Sequence, residues 1–468
     1  MVNDSLARDL FADALAGRLG RRDLLKRAGA LGLSAPVVAA LVQASSRPAM
    51  AAQADDGLNL TYYDWILNLH PAIEQVNADF SADQGDLNAE VAPVAGFGIE
   101  RFVAEAVDET STWDAYIGMT PFVEMVSLIE AGVIEPWDPY IPAEVLDDLI
   151  PSIREEGTYN GKLYNWPFLL DIIIQGWNAE IVARADLNPE VGPANWEEFI
   201  ANAAQVVESG AAPFGCTFDA HGWRSLAPIT HSINPGAYTP AGLFDFTSDA
   251  AVEALEIMKR MMEYANPDVL NEGTSDAGVN QTPDEGAFAA QQVAYYVKYQ
   301  NAHLRFAGAW PDPAQLRLAN LPTAEGGAGA TVFWDTGAAL FTYGKNKERA
   351  AEYMRALTYD DRIWQQSITG SEDDPAVGQL PVYQSIWESY KDSPPEWMPD
   401  WAFLVFDQLQ QSQAIKTHQF GVTQFVIGKP HWERYLTGET DDPRAALRAA
   451  QDAVAAEVEK AAPGTPAA

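Results

Sequence analysis

One cysteine in 468 residues is the first constraint: Cys216 stands alone, so no internal disulfide and no multi-cysteine metal site can form. Basic side chains are scarce, 29 Lys and Arg against 66 Asp and Glu, giving a net charge of −37 at neutral pH. That balance argues against nucleic acid and anionic bilayers as partners, and it suits solubility in a salty or external medium. Long hydrophobic runs are missing too. The apolar stretch from Ala28 to Val42 is about 15 residues, where a bilayer span needs about 20. Neither a Ser-His-Asp nor a zinc-helix hydrolase signature is present. Gly96-Phe97-Gly98 lacks the third glycine of a dinucleotide fingerprint, so a tight strand-to-helix turn explains it better. No cofactor and no metal are expected. What the chain does have is 47% hydrophobic residues with 14 Trp and 17 Tyr, ample material for folded cores.

The N-terminus reads as a leader. Gly20-Arg21-Arg22-Asp23-Leu24-Leu25-Lys26, the short apolar run and Ala49-Met50-Ala51 together give a twin-arginine signal peptide over residues 1–51, with Ala54 as a second possible cleavage point. Export by this route carries folded proteins. The leader holds seven Lys and Arg and four Asp and Glu, so cleavage leaves 417 residues at −40, enough for two or three domains. Cys216 is far from the leader and cannot be a lipidated N-terminal residue. The mature protein is expected in the periplasm or at the cell surface, without a lipid anchor on such a cysteine.

Beyond the leader, strand and helix patterns alternate. Leu58 to Tyr63 reads as a strand, His70 to Asp83 as a helix, Asn88 to Val94 as a strand and Trp113 to Met119 as another, followed by a helix over 122–132. Such alternation builds a parallel sheet with crossover helices, and ligands bind beyond the carboxyl ends of its strands. Those ends are Asp64-Trp65, Gly96-Phe97 and Met119-Thr120. The stretch Thr158 to Asn178 then stands out. Asn160-Gly161 predicts a tight hairpin turn, Pro167 forbids a helix, and Phe168 to Trp177 is an apolar strand interrupted by Asp171. A carboxylate inside a buried strand needs a partner, or must line a crevice. Further on, Asn195 with Glu198 predicts a capping box. Phe214 to Phe218 is a strand ending in Asp219-Ala220-His221-Gly222-Trp223. Asp219 and His221 lack a third ligand nearby and read as a hydrogen-bonded pair. Ser248 to Tyr264 is an amphipathic helix whose methionines fill a core. Asp442 and Pro443 begin a last helix, and residues 463–468 form a disordered tail.

The run Y-N-G-K-L-Y-x-x-P-F-x-x-D with Trp177-Asn178 resembles the first inter-lobe crossover of the family 1 extracellular solute-binding proteins, the group containing the maltose-binding protein. Ala287 to Val297 resembles the family's F-x-x-G-x-A-A-M segment, with Gln291 or Gln292 in place of its glycine. Tyr299-Gln300-Asn301 stands where the family often has a glycine and a stacking tryptophan. Leu321-Pro322 with Gly326-Gly327, the second crossover Thr331 to Phe341, the helix after Lys345-Asn346-Lys347-Glu348 and Gln379-Leu380-Pro381-Val382 follow in family order. The resemblance implies an α/β, two-lobed periplasmic-binding-protein fold of type II, each lobe a mainly parallel sheet flanked by helices, with the ligand cleft between lobes. The lobes would be 58–168 with 336–371, and 172–333 with 380–462. It also implies a monomeric, non-enzymatic receptor that closes on a small solute, most simply a carbohydrate, and delivers it to the permease subunits of an ATP-binding-cassette importer. The expected ligand contacts are Asp64, Trp65, Phe97, Met119, Thr120, Asp171, Trp223, Tyr299, Asn301, Trp334 and Asp335, with Trp166 also near a cleft edge. Aromatic faces stack on sugar rings and carboxylates accept from hydroxyls. Two rivals stay open. An acidic, aromatic cleft suits a polyamine or another cation, and Asp64 with Asp171 could form the carboxylate pair of a secreted glycoside hydrolase.

Overall fold

The computed structural model describes residues 57–63, 66, 69–90, 100–273, 282–371 and 376–461. The leader, Asp64, Trp65, Gly96-Phe97-Gly98 and the tail 463–468 lie outside the described residues.

The strands in chain order are β1 (Leu58–Tyr62), β2 (Leu87–Glu90), β3 (Ala115–Met119), β4 (Ile134–Glu135), β5 (Thr158–Tyr159), β6 (Lys162–Leu163), β7 (Trp166–Asn178), β8 (Phe214–Phe218), β9 (Val293–Tyr299), β10 (Leu316–Ala319), β11 (Val332–Phe341) and β12 (Gln413–Ala414). One sheet runs β2-β1-β3-β11-β7-β9-β8, and β4, β10 and β12 attach to it. The two ends are parallel, β1 with β2 and β3, and β8 with β9. In the middle, β11 runs antiparallel to β3 and β7, and β7 antiparallel to β9. The first half of β7 pairs with β11 and its second half with β9 and β10, so a single central strand joins the β11 side of the sheet to the β9 side.

Local chemistry explains the boundaries. All 13 residues of β7 are buried, as its apolar, β-branched composition requires. Pro167 is tolerated near its start because the register with β11 shifts between Thr336 and Ala338, where a missing ladder donor does no harm. The β5–β6 hairpin turns on Asn160 and Gly161 at φ of 51° and 76°, the type I′ geometry that Asn-Gly favours. Asn195 accepts from the amide of Glu198 at 2.9 Å, but the Glu198 carboxylate returns to the amide of Ala194 rather than to that of Asn195. The expected box is therefore displaced by one residue at its return bond. The strand expected over Trp113 to Met119 begins at Ala115, and the helix after it opens as a π turn, Pro121–Met125, before Val126–Glu130.

Alternation along β7 divides the interior. Ile173 and Trp177 enter one core with Phe199, Phe218, Met258, Met261, Val297, Phe425 and Leu447. Leu170, Ile172 and Ile174 enter a second with Leu58, Leu60, Ile73, Phe333, Met354 and Trp364. Val377 to Leu409 belongs to this second core throughout, and the first regains the chain at Ile415. Residues 380–409, expected with the second lobe alone, thus share a core with β1 as well as with one face of β7. The cause is local: Leu380 bridges Leu170 on the crossing strand, its carbonyl accepting from the Leu170 amide at 2.9 Å, and the following chain backs that crossing.

Candidate functional site

The site grows from the middle of β7. Trp334 on β11 lies directly opposite Asp171, and Tyr299 on β9 directly opposite Ile173. Residues facing each other across a ladder project to the same side, so Asp171, Trp334 and Tyr299 share one face of the sheet. Asn301 comes two residues after Tyr299, as Asp171 comes two before Ile173. Strand β9 stops at Tyr299, yet the Gln300 side chain continues its ladder. It accepts from the amide of Ile172 at 2.8 Å and donates to the carbonyl of Leu170 at 2.7 Å, fixing the backbone on both sides of Asp171.

Asp171 is 4% exposed. Its Oδ2 accepts from Gln379 Nε2 at 3.1 Å, and its Oδ1 has no partner among the described residues. Burial pushes this carboxyl up to about 7, against the pull of the Gln379 bond and the charges of Arg224 and Arg305. Asn301 Oδ1 and Gln379 Oε1 are also buried without partners there. Buried polar atoms are nearly always paired, so an acceptor without a partner among the described residues has capacity for a further donor.

Beside them the aromatic rings of Trp223, Tyr299 and Trp334 hold one another edge to face, with centroids 5.2 Å apart for Trp223–Trp334 and 5.3 Å for Tyr299–Trp334. The guanidinium of Arg224 lies among them, 4.1 Å from the Trp223 centroid, 5.0 Å from Tyr299 and 5.7 Å from Trp334. Its Nη1 reaches Asp219 Oδ2 at 3.4 Å, while its Nε has no partner among the described residues. Asp219 anchors a buried charge cluster. It pairs with Lys298 and takes His221 Nδ1 at 2.7 Å, and Lys298 also meets Asp284 at 2.7 Å and Glu285 at 3.3 Å. Burial works against both charges, yet Lys298 and Arg224 hold the Asp219 carboxyl well below its usual range, and the three carboxylates hold Lys298 above its own.

The opposite wall comes from the segment after β3. The Thr120 hydroxyl bonds that of Thr336 at 3.2 Å, one pleat along β11 from Trp334. Phe122 sets its ring edge on Trp223, centroids 5.2 Å apart. The hydroxyl of Thr417 donates to the carbonyl of Glu156 at 3.0 Å. Gly421 lies so close to the Phe122 carbonyl that a Cβ there would sit 2.2 Å from its oxygen. The last three contacts each join a residue of one expected lobe to a residue of the other.

Of the expected contacts, the structure thus brings Thr120, Asp171, Trp223, Tyr299, Asn301 and Trp334 into one region. Asp64, Trp65 and Phe97 fall outside the described residues. Met119 is fully buried in a small core with Phe102, Trp113 and Tyr116. Asp335 follows Trp334 in the same strand and so projects to the opposite face. There it is fully buried, accepting from the Phe168 amide at 2.8 Å and from Asn165 Nδ2 at 2.5 Å. Its own amide donates to Glu156 at 2.9 Å, so Asp335 braces the crossing instead of facing the cluster. Trp166 is likewise core, its indole N–H on the Tyr383 hydroxyl at 2.9 Å. Sequence reasoning passed over Arg224, Lys298, Gln300 and Gln379. Lys298 did carry a signal, a cation inside an apolar strand, the same anomaly that singled out Asp171. Among the described residues, no group of three or more His, Cys, Asp or Glu is placed to hold a metal ion.

Ring faces, acceptors and a guanidinium N–H without partners among the described residues are the chemical complements of a polar, hydroxylated molecule. Residues 106–361 match the profile of a family described as bacterial extracellular solute-binding protein. A Brucella abortus (strain 2308) chain described as a binding protein is 24% identical over 359 residues, covering 74% of this chain and 80% of that one. A Deinococcus radiodurans chain described as an ABC transporter-binding protein is 23% identical over 279 residues, 54% of this chain and 63% of that one. Among solved structures, the cyclic α-maltosyl-1,6-maltose binding protein of Arthrobacter globiformis matches with a TM-score of 0.69 at 19% identity, over 86% of this chain and 99% of that one. The sugar-binding protein MalE of Xanthomonas citri gives 0.68 at 16% identity, over 86% and 98%. An ABC transporter solute-binding protein of Thermotoga lettingae bound with α-D-tagatose gives 0.67 at 17%, over 84% and 97%. At these identities the structural likeness establishes the fold, the two-lobed type II architecture.

Proposed function

The chain belongs to the bacterial extracellular solute-binding proteins, and from that premise we propose that it captures a carbohydrate between hinged lobes and hands it to the permease subunits of an ATP-binding-cassette importer. The observation that carries the reading is an aromatic cluster together with buried acceptors that have no partner among the described residues, Asp171 Oδ1, Asn301 Oδ1 and Gln379 Oε1. A pyranose offers apolar C–H faces to the first and hydroxyl donors to the second. The names of the Arthrobacter, Xanthomonas and Thermotoga proteins point to sugars as well.

In this reading Thr120, Asp171, Trp223, Tyr299, Asn301 and Trp334 contact the solute. Asp64, Trp65 and Phe97 remain candidates on the expected strand ends. The lobes that close are 58–168 with 336–371, and 172–333 with 380–462, with residues 380–409 riding on the crossing. The protein acts as a monomeric receptor and not as an enzyme. It leaves the cytoplasm folded, by the twin-arginine route, and works in the periplasm or at the cell surface. Mass spectrometry of the gently purified protein, followed by calorimetry with neutral mono- and oligosaccharides, tests the proposal. A co-purified saccharide that rebinds stoichiometrically is the expected result; a co-purified amine, with no saccharide binding, would overturn it.

A further inference from the structure

The cage of Trp223, Tyr299 and Trp334 is the kind of site that accepts an ammonium group, and it already contains a cation. Its rings stand 4.1, 5.0 and 5.7 Å from the Arg224 guanidinium carbon. A ring cluster of this kind attracts positive charge through its quadrupoles, whatever molecule supplies that charge. We propose that Arg224 sets the specificity of the site by holding the cation seat of its own cage, which shuts out ammonium-bearing solutes and leaves the site to uncharged, oxygen-rich ones. This rests on the solute-binding reading above and deepens it.

The neighbouring charges agree. The carboxylates that would draw an ammonium inward are already engaged: Asp219 by Lys298, His221 and Arg224, and Glu285 by Lys298 at 3.3 Å and Arg305 at 3.8 Å. Asp171 has no ion-pair partner among the described residues, and an incoming cation beside it would meet the fields of Arg224 and Arg305. The guanidinium has five N–H donors and no acceptor. Its Nε finds no acceptor among the described residues. A solute oxygen satisfies that donor; a solute ammonium cannot. The same cation that repels amines therefore offers a hydrogen bond to hydroxyl, ether or carbonyl oxygen. Arg224 holds its place through two independent anchors, the ring faces and Asp219, so it is seated rather than passing through.

The test uses the mature protein with Arg224→Met and Arg224→Gln, two neutral side chains of similar reach, and Arg224→Lys as a control that keeps the charge. Spermidine and choline are titrated into each by calorimetry, after circular dichroism has established folding. Both neutral variants should bind at least one of the two cations about tenfold or more tightly than the wild type, and Arg224→Lys should resemble the wild type. Cation binding by the wild type as tight as by a folded neutral variant, or no gain in either neutral variant, overturns the proposal. Neutral saccharides are titrated in parallel. If they bind the wild type while the neutral variants gain no cation, Arg224 is wrong and the sugar reading stands; if the neutral variants gain cations while no saccharide binds any form, the reverse holds.

Discussion

Asp171→Asn is the most informative single change, because it separates two roles that one buried carboxylate can have. In the structure Asp171 has a neutral partner, Gln379, and an oxygen with no partner among the described residues, so its charge is desolvated more than it is paired. Its pKa rises from 3.8 to about 7. A folded pKa above the unfolded one means that protonation favours folding. The contribution is complete below pH 4 and is lost as pH rises through 7. A rise of that size corresponds to about 4 kcal/mol between those limits. Asparagine has the same shape and no charge at any pH, but its Nδ2 replaces the free oxygen with a donor lacking an acceptor, a cost of about 1–3 kcal/mol. The variant should therefore be about 1–3 kcal/mol more stable than the wild type at pH 8, and the advantage should vanish by pH 5. Urea unfolding of the ligand-free proteins at pH 5, 6.5 and 8 reads this directly. Saccharide affinity should fall by about 1.5–3 kcal/mol, roughly ten- to a hundredfold, through loss of a charge-assisted bond. A variant less stable by about 3–5 kcal/mol at pH 8 would show that the carboxylate is an ion-pair member, and unchanged affinity alongside it would remove Asp171 from the site.

Lys298→Met should cost about 3–5 kcal/mol in urea unfolding, since it leaves Asp219 and its neighbours facing one another without their shared cation; a variant as stable as the wild type would mean these carboxylates are not charged together. Gly421→Ala should fold normally but fail to close, because the new Cβ meets the Phe122 carbonyl at 2.2 Å. Solution scattering should then give a radius of gyration for the saccharide-saturated variant equal to that of the free form, and compaction matching the wild type would refute this. Replacing Arg21 and Arg22 together by Lys should keep the protein in the cytoplasm, folded; normal amounts outside would contradict twin-arginine export.

Features set by neighbours in the chain could be read from the sequence. The Asn160-Gly161 turn, strand β8 at Phe214–Phe218, the Asn195 cap and the last helix, with Asp442 accepting from the Ala445 amide at 3.0 Å, all depend on residues a few positions apart. The crossing strand was visible for the same reason, as a long apolar run with one misplaced carboxylate. Legibility ended where a second segment decides the outcome. Whether Pro167 ends a strand or sits within it depends on a bulge of β7 against β11, where Pro167 and Phe168 oppose Gly337. Asp335 and Trp334 both looked like contacts, but neighbours in a strand face opposite ways, and only pairing with Asp171 says which one faces the site. Arg224 had no local mark at all, since two of its three rings come from β9 and β11.

Strand β7 also has a mechanical consequence. It is laddered to β11 along its first half and to β9 and β10 along its second. Sliding one lobe past the other would break several of these bonds at once, whereas the natural twist of a strand changes gradually and without such losses. The proposed hinge would thus be stiff in shear and compliant in torsion, leaving the proposed lobes essentially one angular coordinate. A membrane partner that recognised both lobes would measure that angle. A solute of the wrong size would then be refused for holding the angle open, even with every one of its hydrogen bonds made.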